Sequence, residues 1–126
     1  MGTSIKHQDW SNKTVLIAED VNDNFLFLKT YLRKTKINVL WAKDGQEAIN
    51  ICKKDESIDI VLMDISMPDM DGIRATELLS YRAPTTSVII MSFQSETEYM
   101  KKAMMAGAKE YIVKPFTGND IINTIL

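Results

Sequence analysis

The chain has 126 residues, 45% of them hydrophobic and 25% charged, with a formal net charge of −2. That length suits one domain with a substantial core, and that composition excludes both a disordered polar chain and a membrane protein. Acidic and basic residues are spread over both halves, so no basic stripe marks a nucleic-acid surface. No apolar run approaches the roughly 18 residues needed to cross a bilayer, and the first residues are too polar for a secretory signal. A soluble, cytoplasmic domain without membrane contact is expected. The single cysteine, Cys52, has no partner for a disulfide and no metal-ligand spacing around it, which predicts a buried helical position.

Residues 1–12 have no period and read as a flexible leader, with Trp10 expected to cap one edge of a domain over residues 13–126. The first strand is Thr14-Val15-Leu16-Ile17-Ala18, ending in Glu19-Asp20. Helical spacing then brings Phe25, Leu28 and Leu32 onto one face, from a start at Asn22 or Asp23. Phe25 and Phe27 are both expected to pack in the core. Asn38 to Ala42 forms a second strand, and Asp44-Gly45 turns the chain into a helix carrying Ala48, Ile49 and Cys52. The third strand, Asp59 to Met63, is an unbroken apolar run that stops at Asp64. A loop rich in acid, Pro and Gly runs from Ile65 to Gly72 and opens the third helix. Val88 to Met91 is the fourth strand, ending at Ser92. A helix over residues 96–106 should turn Tyr99, Ala103 and Met104 inward and stop at Gly107. Glu110 to Val113 is the fifth strand, followed by Lys114-Pro115 and a last helix opened by Asn119 or Asp120.

Five alternations of strand and helix imply an α/β, doubly wound (βα)5 domain. Its flavodoxin-like parallel sheet should have the order 2-1-3-4-5. Ligands of such sheets bind outside the carboxyl ends of the strands. Glu19, Asp20, Asp64, Ser92 and Lys114 all fall there. Singly, each has an ordinary explanation as a cap, a turn or a surface residue; together they form a candidate site. Three carboxylates repel by about 4 kcal/mol per close pair at an effective dielectric near 20. Lys114 offsets one charge. Oxygen-only ligands without His or Cys favour Mg²⁺, with Mn²⁺ able to substitute. A carboxylate beside a metal, a hydroxyl and an ammonium suits phosphoryl transfer onto the carboxylate.

These residues resemble the receiver domain of two-component response regulators, from about Thr14 to Leu126. The resemblance rests on Glu19-Asp20, Met63-Asp64, Met67-Pro68-Asp69-Met70-Asp71-Gly72, Ser92 and Lys114-Pro115-Phe116. It implies that Asp64 is the phosphoacceptor in a Mg²⁺-dependent reaction. Asp20, Asp64 and the backbone carbonyl of Ser66 would hold the metal, with Glu19 acting through water. Ser92 and Lys114 would bind phosphoryl oxygens, and Ser92 with Tyr111 would form a switch. The resemblance further implies a cis Pro115, a structural Gly72, and Ser66 and Gln94 as residues that tune hydrolysis. Phosphorylation would alter the face built from strand 4, helix 4, strand 5 and helix 5.

The implied donor is a histidine kinase or a histidine phosphotransfer domain. The domain would be chiefly a regulatory phosphoacceptor that assists its own phosphorylation and dephosphorylation. Trp10-Ser11-Asn12-Lys13 before the first strand and Ala18 to Asn24 after it are similar to receivers fused at the C-terminus of hybrid sensor histidine kinases. The last helix is short against the family, so a longer, membrane-anchored parent chain is compatible with this reading, as is a stand-alone regulator. Phe93 stands where the family has a small residue, and its ring is expected to narrow access to Asp64 or alter the switch. Three alternatives are weaker. An aspartate-nucleophile phosphatase needs a second aspartate where Ser66 stands, and a flavodoxin-type cofactor binder needs a phosphate loop that Glu19-Asp20 would repel. A degenerate docking module would not need all five site residues.

Overall fold

The computed structural model describes residues 9–65, 72–93 and 97–126. Five parallel strands lie in the order β2-β1-β3-β4-β5. They are β1 (Thr14–Ala18), β2 (Asn38–Ala42), β3 (Ile60–Asp64), β4 (Ser87–Ser92) and β5 (Glu110–Val113). The helices between and after them are α1 (Asn22–Leu32), α2 (Gly45–Lys54), α3 (Gly72–Arg82), α4 (Thr97–Met105) and α5 (Gly118–Ile125). This is the doubly wound α/β sandwich expected from the alternation of the sequence.

Every residue of β3 is buried, as its unbroken apolar run requires. Alternate strand residues feed two cores. Leu16, Ala18, Val61, Met63, Val88 and Ile90 pack with Ala48, Ile49, Ala75, Leu79 and Ala103 of α2, α3 and α4. On the other face Val15, Ile17, Leu62, Ile89 and Met91 pack with Phe25, Leu28, Leu32, Ile121 and Ile122 of α1 and α5. Each of the Val, Leu, Ile, Phe and Met side chains removed from water contributes about 1.5–3 kcal/mol, so the two layers hold the strand ends in register. Trp10 is also buried, and its backbone N–H donates to Thr35 O at 2.6 Å, closing the edge below α1. Cys52 is buried on the inner face of α2, where burial pushes its thiol up to about 11 and suppresses the thiolate.

Several local features differ from expectation. Met104 is half-exposed, while its neighbour Ala103 is the α4 residue buried in the core. Phe27 is also half-exposed, while Phe25, two residues earlier on α1, is buried. The α5 cap is Thr117 rather than Asn119 or Asp120. Its hydroxyl accepts from Asp120 N–H, and the Asp120 carboxylate accepts from Thr117 N–H. After α1 the chain makes a 3₁₀ turn over Arg33–Thr35 and then turns through Lys36 at φ 63°.

Gly72 has a steric reason. A Cβ there would lie 2.5 Å from Ile65 Cα, a backbone atom adjacent to Asp64. Gly72→Ala is therefore expected to cost about 1–3 kcal/mol in urea denaturation, because α3 and the end of β3 must separate. An unchanged unfolding midpoint would contradict that close approach.

Candidate functional site

Parallel strands paired side by side deliver their last residues to one rim. Asp64 ends β3 and Ser92 ends β4, Glu19 directly follows β1, and Lys114 directly follows β5. The register places Asp64 opposite Met91, one residue before Ser92, and Ser92 opposite Val113, one residue before Lys114. The Lys114 backbone N–H donates to Ser92 O at 2.7 Å, extending the ladder to the lysine itself. The peptide between Lys114 and Pro115 is cis.

The side chains converge. Lys114 Nζ lies 3.0 Å from Asp64 Oδ2, with both side chains largely withdrawn from solvent. Carboxylate oxygens of Glu19, Asp20 and Asp64 all fall within 4.8 Å of one another. Glu19, Asp64 and Ser92 are buried, and Asp20 is exposed. At this spacing each carboxylate pair repels by about 3 kcal/mol at an effective dielectric near 20. One ammonium cannot balance three such groups. The strain shows on Glu19, whose carboxyl is pushed up to about 7, first by burial and then by its hydrogen bond to Asp64 and the charge there. A hard divalent cation fits this oxygen-only donor set, since it would favour the ionised carboxylates.

Tyr111 lies on β5, half-buried beside the α2–α4 core. Ser66 and Gln94, for which the resemblance implies a metal-facing carbonyl and rate tuning, lie outside the described residues, as does the rest of the loop over residues 66–71. Phe93 is 70% exposed at the rim, its ring centre 5.2 Å from Lys114 Nζ. With Phe27, Phe116 and Pro115 it borders a cavity of about 210 Å³ that opens onto Glu19 and Lys114. The sequence indicates an obstructive ring at Phe93 but not this contact with the lysine, which depends on how β4 and β5 pair.

A second contact has no clear local signal. Trp41 Nε1–H donates to Glu19 O at 2.8 Å. Strand periodicity gives Trp41 only a place in β2. Its reach to Glu19 follows from the β1–β2 neighbour relation, in which Ile17 pairs with Trp41.

A convergent Asp64–Lys114 pair beside two further carboxylates, on a 2-1-3-4-5 sheet, can be compared with known proteins. The family model for the response regulator receiver domain matches residues 15–126. The chain belongs to the response regulator receiver domain family. This receiver domain is 34% identical over 114 residues to the chemotaxis protein CheY of Thermotoga maritima, covering 90% of this chain and 94% of that one. It is 35% identical over 106 residues to the autoinducer 2 sensor kinase/phosphatase LuxQ of Vibrio parahaemolyticus, covering 83% of this chain but 12% of that protein. Among solved structures, the receiver domain of the Francisella response regulator 1452 superposes with a TM-score of 0.84 at 31% identity, over 90% of this chain and 93% of that one. Of several other curated relatives the receiver domain spans only 22% to 55%. Among the described residues, no helix is long and apolar enough to cross a membrane.

Proposed function

We propose that this receiver domain takes a phosphoryl group onto Asp64 in a Mg²⁺-dependent reaction and relays that event through its β4-α4-β5-α5 face. The observation that carries the proposal is the buried Asp64 carboxylate, paired with Lys114 at 3.0 Å and crowded by Glu19 and Asp20. Asp20, Asp64 and the Ser66 carbonyl would hold Mg²⁺, with Glu19 behind them through water; Mn²⁺ would serve in its place. The ion, when bound, supplies positive charge to the phosphoryl oxygens.

The chain's own residues do the rest. An Asp64 oxygen attacks phosphorus in line with the leaving group, the bond from phosphorus to the donor breaks, and the donor departs with its electron pair. Lys114 then moves its charge from the bare carboxylate to the phosphoryl oxygens. Ser92, at the end of β4, donates its hydroxyl to the new acyl phosphate. Because Lys114 N–H is bonded to Ser92 O, a shift of Ser92 carries β5 with it, including Tyr111. To move a two-state face from 1:99 to 99:1, the phosphate must favour the active arrangement by about 5.5 kcal/mol.

The donor is a histidine kinase or histidine phosphotransfer domain, approaching over α1 and the rim. A hybrid sensor kinase as the parent protein is supported by the similarity to a sensor kinase/phosphatase of much greater length. The β4-α4-β5-α5 output, the absence of nucleic-acid and membrane contact, and a cytoplasmic location belong to the same proposal.

Incubation with acetyl phosphate and Mg²⁺ followed by intact mass measurement tests it. One phosphoryl adduct, lost in EDTA, is the expected result. No adduct, and no response to beryllofluoride, would leave a docking module instead. Lys114→Ala should still bind Mg²⁺ but show little change in its α4–β5 amide resonances on beryllofluoride addition. A full wild-type response in that variant would remove Lys114 from the switch.

A further inference from the structure

We propose that Trp41 is a positioning residue for the acidic loop Glu19-Asp20, holding it in a cation-ready arrangement through its indole N–H. This rests on the reading of Glu19, Asp20 and Asp64 as the cation site. Both backbone groups of Glu19 are held by the last two residues of β2. Glu19 N–H donates to Ala42 O at 3.0 Å, and Glu19 O accepts from Trp41 Nε1–H at 2.8 Å. The Glu19 carbonyl and the Asp20 nitrogen share one planar peptide unit. Fixing that carbonyl therefore fixes the plane from which Asp20, the exposed member of the trio, departs.

The same indole grips the far side of the loop. Its ring stacks on Phe25 of α1, with centroids 4.1 Å apart and an interplanar angle of 5°. Phe25 N–H donates to Val21 O at 3.1 Å, which ties the stacked residue directly to the end of the acidic loop. Lys43 Nζ lies 5.2 Å from the Trp41 ring centre, adding a cation–π restraint at the β2 end. One side chain thus braces the residue before Asp20 and the helix after it.

Packing alone would not need the donor. A phenylalanine could stack on Phe25 equally well and leave the Glu19 carbonyl to water. The N–H replaces a mobile water with a rigid partner, so the loop is ordered before a cation arrives. Groups that orient metal ligands typically act on affinity in this way.

The test is calorimetric titration of Mg²⁺ into the unphosphorylated full chain, paired with thermal denaturation in EDTA. Trp41→Phe should raise the Mg²⁺ dissociation constant about three- to tenfold, the range expected for one lost hydrogen bond. Its melting temperature in EDTA should fall by no more than a few degrees, because the stack remains and water takes the freed carbonyl. Introducing 3-benzothienylalanine at position 41 alone, a shape match with sulfur in place of the N–H, should reproduce the weakened binding. Unchanged Mg²⁺ affinity in either folded variant would overturn the role, as would a drop in melting temperature alone. If the wild type takes up no Mg²⁺, the cation site is itself refuted and Trp41 loses its function with it. If the wild type and Trp41→Phe bind equally, only the role of Trp41 falls.

Discussion

Asp64→Ala is expected to abolish phosphoryl uptake from acetyl phosphate while leaving the domain folded. In the proposed reaction the Asp64 carboxylate is the nucleophile, so no residual rate through Glu19 or Asp20 should replace it. Glu19 follows β1 rather than β3, and burial already raises its carboxyl. Asp20 is exposed and is not the carboxylate paired with Lys114. Folding should survive because the substitution removes a buried charge from a site crowded with like charges, which offsets the loss of the ion pair. Asp64→Asn is the gentler variant, keeping an oxygen near Lys114 at nearly constant volume. Intact mass after incubation with acetyl phosphate and Mg²⁺ reads the outcome directly. An adduct surviving at wild-type level in either variant would sink the assignment of Asp64.

In EDTA, the protein should lose stability as pH rises from about 5 to about 8, and Mg²⁺ should restore it. The sign follows from Glu19. Its carboxyl is raised from 4.5 to about 7 in the folded state, so the folded chain holds a proton that the unfolded chain releases. The stability linked to that proton is complete below about 4.5 and is lost as pH rises through about 7. With partial solvent screening of the site, the loss is about 2 kcal/mol across this window. Mg²⁺ bound to the folded state alone would return about 1.4 kcal/mol at ten times its dissociation constant. Its apparent affinity should rise with pH over the same range, since proton and cation compete for the carboxylates. Thermal denaturation with and without Mg²⁺ at pH 5, 6, 7 and 8 measures both effects. Glu19→Gln should flatten the EDTA series relative to wild type. Parallel wild-type and Glu19→Gln curves would show that Glu19 is not the group responsible.

Much of this domain is determined by short-range pattern. The apolar runs at Leu16-Ile17 and Val61-Leu62-Met63 can be satisfied only by strands buried on both faces, and the helical spacing of Phe25, Leu28 and Leu32 faces one of those sides. Alternation of the two then leaves a parallel sheet as the economical solution, and polar residues that end the strands must share its carboxyl rim. That is why the sequence alone brings Glu19, Asp20, Asp64, Ser92 and Lys114 together. Their chemistry follows from residue type, since three carboxylates and one ammonium in one place call for a further cation.

The tertiary structure decided what periodicity leaves open. A helical repeat does not say how wide the buried stripe is, so Phe27 and Met104 read as core residues while the packed helices leave both half-exposed. Cap choice at α5 turned on the reciprocal Thr117–Asp120 bonds rather than on the nearest Asn or Asp. The 3.0 Å approach of Lys114 to Asp64 joins residues 50 positions apart, and the Trp41 bond to Glu19 spans 22. Neither distance is encoded locally. Both arise because sheet pairing aligns strand ends from separate parts of the chain, and only that alignment says which side chains are close enough to act on one another.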